Sequence, residues 1–344
     1  MKCKILVALW TAFWILFPLA IAATPVPSIT LEELTENSEV IVVGRVMSIT
    51  DEGGTQVDYG GSSTAARKNR CELKVLGQIK GAGPLDIISI YYLAPTAPIG
   101  YASFVVGAYG VVFLKRSTEG YVLVTPYKSM LPAPPNTPIL GNSSALENVE
   151  AQLGNVLTGQ GNNAAKQIAI NSLSSVITPE STHFLEIALH DRDKEVQLLA
   201  AAYLLRRNDI AALPLAAEVL LSPQQSVPYY VRQNLLSGIS IGLVNPDAVT
   251  FLSRLATLPG LDARRAATLA LGHTDSQMAL RPLAAALGDE DLLVRYNAVV
   301  GLSTITGQWQ WRPNLDEFTE NETKYMRHWR EWSAQQRAID THKR

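Results

Sequence analysis

The sequence predicts a multidomain α+β chain: a small β-barrel domain over residues 28–130, an α-helical solenoid over 145–307 and an aromatic C-terminal cap over 308–338. Three observations lead to it. Val294, Ala298 and Leu302 are spaced by four along one helix face. The same register returns at Val196/Ala200/Leu204, Val231/Leu235/Ile239 and Ala263/Ala267/Leu271, with a weaker copy at Ala165/Ala169/Leu173. First positions at 165, 196, 231, 263 and 294 step by 31, 35, 32 and 31 residues, the period of stacked units each too small to bury its apolar face alone. Upstream of Pro132 the apolar period is strand-like. Downstream of Gly307, Trp309, Trp311, Phe318, Tyr325, Trp329 and Trp332 crowd into one short segment.

With 344 residues, 47% of them hydrophobic and 17% charged, the chain is ordinary globular material, long enough for two domains. Residues 1–23 read as a secretory signal peptide. Lys2 and Lys4 precede the apolar run Ile5 to Ile21, and Ala20-Ile21-Ala22-Ala23 supplies an A-x-A site with cleavage after Ala22 or Ala23. The alternative is an uncleaved anchor, since the run is near the lower length limit for a spanning helix. Cleavage is the favoured reading; it sends the chain to a periplasmic or extracellular location and leaves no stable membrane span. Cys3 lies within the signal, so Cys71 is alone in the mature chain, and neither an internal disulfide nor a C-x-x-C site is available. Cys71, in the alternating segment C-E-L-K-V-L, is expected as a buried structural thiol. Once Lys2 and Lys4 are removed, 27 basic residues stand against 31 acidic ones, a formal charge of −4. That balance gives no electrostatic footprint for nucleic acid or an anionic membrane. Two acceptor triplets, Asn142-Ser143-Ser144 and Asn321-Glu322-Thr323, matter only in a eukaryotic secretory pathway.

In the N-terminal domain, Thr30 caps a short helix that begins Leu31-Glu32-Glu33-Leu34. Val40 to Val46 is a β-branched run that reads as a buried strand. Asp51 to Asn69 is rich in Gly, Ser and Thr and is expected as a long mobile loop. Further strands are expected at Cys71–Leu76, Asp86–Tyr92, Gly110–Leu114 and Gly120–Thr125, separated by Gly- and Pro-bearing turns. Five short strands with few helices suggest a closed or half-closed barrel. A short helix leading into "SEVIVVGRV", then "KVLGQIKG", "YGVVFLK" and "GYVLV", is similar to the small barrels that open many exported bacterial proteins. Those are related in fold to the tissue inhibitors of metalloproteinases and netrin-like modules, so the resemblance implies an OB-like barrel. The inhibitors' N-terminal cysteine, which chelates the protease metal, has no counterpart in a mature chain opening with Ala or Thr. Tyr91, Tyr92 and Tyr101 either pack the barrel, the favoured reading, or line a ligand face. Arg67, Lys68, Arg70, Lys74 and Lys80 read as a solvated loop face in preference to a nucleic-acid surface.

Residues 131–144 form a proline-rich stretch that reads as a stiff linker. Ser144 then caps a helix over Ala145–Leu157. First helices are expected at His183–Leu189, Leu213–Leu221, Ala248–Ala256 and Leu280–Leu287, each followed by a second helix that carries the register; Ser222 to Pro228 lengthens one turn and explains the step of 35. Asp291-Leu-Leu-Val294-Arg295-Tyr-Asn-Ala298 reproduces the D-x-x-V-R-x-x-A-x-x-x-L second helix of HEAT repeats, which this region resembles. Asp193 to Ala200 matches with Gln197 in place of Arg; Val231-Arg232 follows Pro228 instead of Asp, and Arg264 follows Gly260. Pro214 and Pro282 match the proline often found in the first helix of such repeats. The resemblance covers about half the chain and implies a HEAT-type solenoid, a fold that hosts many unrelated binding tasks.

Arg232, Arg264 and Arg295 recur once per unit. The resemblance implies that they hold neighbouring turns together through Asp and backbone carbonyls, a task that suits guanidinium forks; the alternative is a basic groove. With Arg265, and with Tyr229, Tyr230, Asn234, Tyr296 and Asn297 near the exposed side of the second helices, they make the candidate surface for a protein or peptide partner on the concave face. Tyr325, Trp329 and Trp332 are spaced i, i+4, i+7 as one helical stripe. With "TGQ", a W-x-P and the W-x-x-W, the tail resembles the closing segment of secreted HEAT proteins, and an aromatic cradle for carbohydrate is the rival reading.

No catalytic motif, metal site or cofactor site is identified. There is no H-E-x-x-H and no phosphate-binding glycine loop, and His183 and His190 lack a third ligand at a recognisable spacing. The leading expectation is an exported, non-enzymatic adaptor working through the concave face. The competing one is a ligand- or protease-binding module centred on the barrel. A hydrolase would instead show a deep pocket with convergent His and carboxylate groups.

Overall fold

The computed structural model describes residues 29–59, 62–96, 101–136, 138–141, 143–159, 161–222 and 227–342. The expected signal peptide, Asn142 of the first acceptor triplet and residues 223–226 of the lengthened turn lie outside the described residues. Helix α1 (Leu31–Glu36) starts at a reciprocal capping box, Glu33 N–H donating to the Thr30 hydroxyl at 3.1 Å and Thr30 N–H to the Glu33 carboxylate at 2.9 Å. Six strands follow: β1 (Val40–Tyr59), β2 (Ser62–Lys80), β3 (Ile87–Pro95), β4 (Tyr109–Arg116), β5 (Tyr121–Leu123) and β6 (Leu131–Pro132). They form one mixed sheet in the order β1-β2-β3-β5-β4-β6, and β4 also pairs with β1 from Val40↔Leu114 to Arg45↔Tyr109. The ladders thus return to the first strand.

Alternation along β1 and β4 sorts their side chains between two cores. Val40, Val42, Val112 and Leu114 pack with Cys71, Leu73, Ile88 and Ile90 inside the sheet. Ile41, Val43, Val111 and Phe113 face the other way and join the core shared with the helices. Cys71 is buried, and burial pushes its thiol up to about 12, so it has no thiolate chemistry near neutral pH.

The stretch Asp51–Asn69, expected as a mobile loop, is mostly strand. Asp51–Tyr59 and Ser62–Asn69 extend β1 and β2 as an antiparallel ribbon, paired from Asp51↔Asn69 to Tyr59↔Ser62. Gly53, at φ +120°, absorbs a register shift, and Arg67–Asp51 and Arg70–Glu52 pair at 2.8 Å. A Gly/Ser/Thr-rich composition hides such cross-strand partners. The basic cluster is matched throughout: Lys68 pairs with Glu119 at 2.7 Å, Lys74 with Asp86, and Lys80 donates to the Thr35 carbonyl at the end of α1.

The proline-rich stretch begins as β6, with Leu131 opposite Val111 and Pro132 opposite Gly110. Its far end is held by buried Asn148, which accepts from Leu140 N–H at 2.7 Å and donates to the Leu140 carbonyl at 3.0 Å. The helical region then comprises α2 (Ala145–Thr158), α3 (Asn163–Leu173), α4 (Pro179–Ala188), α5 (Lys194–Arg206), α6 (Leu213–Leu220), α7 (Tyr229–Gly242), α8 (Val249–Leu255), α9 (Leu261–His273), α10 (Leu280–Ala286), α11 (Leu292–Thr306) and α12 (Leu315–His342, kinked at Asn321). Side chains of Ser144, Asn162, Thr178, Asp193 and Asp291 cap α2, α3, α4, α5 and α11.

Each even-numbered helix from α2 to α10 packs on the odd-numbered helix after it, and α3, α5, α7, α9 and α11 lie against one another in sequence. The register residues Val196/Ala200/Leu204, Val231/Leu235/Ile239, Ala263/Ala267/Leu271 and Val294/Ala298/Leu302 are all buried. Small residues let the helices of this row touch backbone to backbone. A Cβ on Gly238 would meet the Ala202 carbonyl, and one on Gly272 would stand 2.9 Å from the Gly301 Cα. Helix α12 packs on α10 and α11 through Phe318, Tyr325, Met326 and Trp329, all buried, while Trp332 is half-buried. The aromatic stripe is therefore spent on packing.

At an open helix position Gly→Ala gains about 1 kcal/mol. Gly238→Ala should instead lose about 1–3 kcal/mol through overpacking against α5, measured as a lower midpoint in urea unfolding followed by circular dichroism. An unchanged or higher midpoint would refute the close approach.

Candidate functional site

The register residues bury one stripe of each odd-numbered helix, and a second four-spaced stripe runs beside it. On α3 this is Gln167 and Asn171, on α5 Glu195, Leu199 and Tyr203, and on α7 Tyr230 and Asn234. With Leu198 and Val231 these residues line a cleft of about 220 Å³ across three consecutive helices. Its polar groups bond to one another. Tyr203 donates to Asn171 Oδ1 at 2.8 Å and Gln167 Nε2 donates to Glu195 Oε2 at 3.4 Å. Tyr230 also hydrogen-bonds the Glu195 carboxylate, which pushes the phenol pKa up. The Arg206 guanidinium lies 5.5 Å from the centre of the Tyr203 ring and donates to Ser237 Oγ at 3.3 Å.

Of the residues expected on the binding face, Tyr230 and Asn234 line the cleft. Tyr229 opens α7 at 73% exposure outside the lining. Arg232 is half-buried and donates to the Leu220 carbonyl at 3.3 Å. Arg264 reaches the Pro259 carbonyl at 2.7 Å and Asp289 at 2.8 Å, and Arg265 grips Asp291 at 2.9 and 2.6 Å. Arg295 joins the Asp289 and Glu290 carbonyls, at 2.9 and 2.7 Å, to Glu322 on α12. Tyr296 turns its ring to Phe318, with centroids 5.6 Å apart, and Asn297 Nδ2 donates to the Arg265 carbonyl at 3.5 Å. The face is thus divided between a turn-to-turn ladder and the cleft. Gln167, Asn171, Glu195 and Tyr203 were missing from the expected set. Stepping the Tyr230 position back one unit lands on Glu195, and that was the available signal.

Contrary to the expectation that the sequence holds no catalytic motif, one such pattern is present. Gly238-Ile239-Ser240-Ile241-Gly242 spells G-x-S-x-G, the nucleophile-elbow motif, whose function needs a strained strand-to-helix turn. Here it lies inside α7, Ser240 donates to the Ser237 carbonyl at 3.1 Å, and the glycines serve the approach to α5. It is a packing motif. Among the described residues no group of three or more His, Cys, Asp or Glu is placed to hold a metal, and no helix is long and apolar enough to cross a membrane.

A second titratable group lies beneath the first turns of the row. Glu150 on α2 is fully buried; one carboxylate oxygen accepts from the Thr178 hydroxyl and the other has no partner. Burial pushes its carboxyl above the ordinary value of 4.5, with Thr178 and Arg207 opposing. Arg207 itself donates to Ser181 Oγ at 3.0 Å, Thr182 Oγ1 at 2.9 Å and the carbonyl oxygens of Leu173 and Val176.

The chain matches no protein-family model and no curated protein sequence.

A raised folded-state pKa means that the native protein holds this proton more tightly than the unfolded chain does. The stabilisation is complete below the unfolded value near 4.5 and is lost as pH rises through the folded value. Glu150→Gln is neutral at every pH and removes this dependence. Its melting temperature, measured against the wild type by calorimetry, should therefore gain on the wild type between pH 4.5 and neutrality. A difference that stays constant over that range would show that Glu150 does not titrate there.

Proposed function

We propose that the chain is an exported, non-enzymatic interaction scaffold that holds a protein or peptide partner on the face shared by its odd-numbered helices. On this reading the helical half is a HEAT-type solenoid closed by an aromatic cap, and the sheet is an OB-like barrel. The observation that carries the reading is the cleft between α3, α5 and α7. Its polar lining residues are amides, phenols and one carboxylate, set over the core residues Leu198 and Val231, and none of them belongs to the arginine ladder. Support for the solenoid comes from Arg264 and Arg295, which join successive turns at the arginine position of the D-x-x-V-R pattern. Support for the barrel comes from the β1–β4 pairing that brings the ladders back to their start. Export rests on Lys2, Lys4, the Ile5–Ile21 run and the A-x-A site.

A barrel-centred ligand- or protease-binding module is the second reading. It is favoured by the turn at Val105 and Val106, two valines at 66% and 59% exposure. One experiment separates the two. The full chain is used as bait on the exported fraction, beside Asn234→Arg in the cleft and Val105→Asp in the turn before β4. The scaffold reading expects Asn234→Arg to weaken partner retention by about tenfold or more, about 1.4 kcal/mol, with Val105→Asp within about twofold of wild type. The reverse pattern transfers the function to the barrel. N-terminal sequencing of the same exported material should begin at Ala23 or Thr24; a chain still beginning at Met1 would contradict signal cleavage.

A further inference from the structure

We infer that the α3/α5/α7 cleft receives a lysine or arginine side chain of a peptide partner. The inference rests on the scaffold reading and gives the partner a chemistry. Glu195 is the one charged residue in the lining, and its contacts there are neutral donors, the Gln167 amide and the Tyr230 hydroxyl. The acids at either end of the same unit are answered by cations: Asp191 by Lys166 at 2.5 Å and Glu218 by Lys194 at 3.0 Å. Asp193, which also acts electrostatically on Tyr230, is met by the neutral amide of Asn163 at 2.5 Å. Arg206, beside the cleft, is engaged by the Tyr203 ring and Ser237, and among the described residues no cation forms a salt bridge with Glu195.

The rest of the lining suits a long basic side chain. Leu198, Leu199 and Val231 offer an apolar bed for the methylene stem. The ring of Tyr230 offers a π-face to the cationic head, and Glu195 offers a charged acceptor. An anion would meet Glu195 unpaired, and a purely apolar group would strand the amides of Gln167, Asn171 and Asn234. The volume of about 220 Å³ lies below the usual range for small-molecule pockets, roughly 300–1,000 Å³, and suits one inserted side chain.

The test is a random dodecapeptide library selected on the full chain, followed by anisotropy titrations of a retained peptide. Peptides kept by the wild type should be rich in Lys or Arg. Glu195→Gln, a substitution at an exposed position, should erase that enrichment and weaken the retained peptide by about tenfold or more. Replacing the peptide's basic residue with norleucine should do the same, and the two changes together should cost little more than either alone, the signature of a direct pair. Additive effects of the two changes would overturn the inference. So would retained peptides without basic bias, and if those are lost in Asn234→Arg the scaffold reading survives alone. Free cadaverine binding as tightly as the peptide would make the ligand a diamine and remove the peptide part. No peptide retained by the wild type also overturns the inference, and the capture from the exported fraction then decides separately on the scaffold.

Discussion

Backbone-to-backbone contact between consecutive odd-numbered helices is the constraint from which the helical half follows. Gly238 against Ala202, Gly242 against Arg206, and Gly272 against Gly301 leave no room for a Cβ, so the helices approach more closely than larger side chains would allow. At that spacing one guanidinium reaches from its own turn to the next. Arg264 spans the Pro259 carbonyl and Asp289, and Arg295 spans the Asp289 carbonyl and Glu322. Lys166 makes the same reach to Asp191 with a single point charge. Where the following turn has Pro259-Gly260 in place of an acid, Arg232 holds only the carbonyl of Leu220 among the described contacts. The ladder is therefore a consequence of the small residues. Its strength along the row follows the placement of aspartates.

The sheet and the helices are joined by the same kind of economy. Alternation along β1 and β4 gives the strands a second apolar side, and Ile41, Val43, Val111 and Phe113 spend it on the core that also holds Val149, Leu153 and Ile170. Polar contacts then fix the junction. Leu31 N–H donates to Ser175 Oγ at 2.9 Å, and Asn148 closes two bonds with the Leu140 backbone. The proline-rich stretch is consequently bound at both ends, and the first helices cannot shed the sheet without exposing apolar surface of both.

The odd-numbered helices were legible because a four-residue apolar register survives in a single sequence whatever its partners are. Thr30 and Ser144 were legible as caps because an N-cap acts within four residues. The ribbon of β1 and β2 was not legible, since it is held by backbone pairing between residues as far apart as Asp51 and Asn69 and carries a bulge at Gly53 that reads as loop composition. The cleft was half legible. Tyr230 and Asn234 stood out as polar residues on a helix, but Glu195 looks like any exposed acid until α3 and α7 are placed beside it. Gly238 to Gly242 shows the converse: a pattern with a chemical meaning elsewhere is produced here by helix packing alone.

The position of the cleft within the row also has a cause. Between α9 and α11 the corresponding groove is occupied: Arg265 grips Asp291, and Asn297 donates to the Arg265 carbonyl. Between α7 and α9 it is crossed by Gln233 donating to Asp262 at 2.9 Å. Among the described residues, those that line the cleft across α3, α5 and α7 make no ion pair. Tyr203 and Tyr230 stand as walls, and the amides between them bond only to neutral groups or to Glu195. A partner side chain entering there displaces no salt bridge and finds a carboxylate already aligned by two neutral donors. At the α9/α11 groove it would first have to break the Arg265–Asp291 pair, and at the α7/α9 groove Asp262 already acts electrostatically on Arg265. A binding site on this row therefore belongs where the charges of the scaffold leave off, and that is at Glu195.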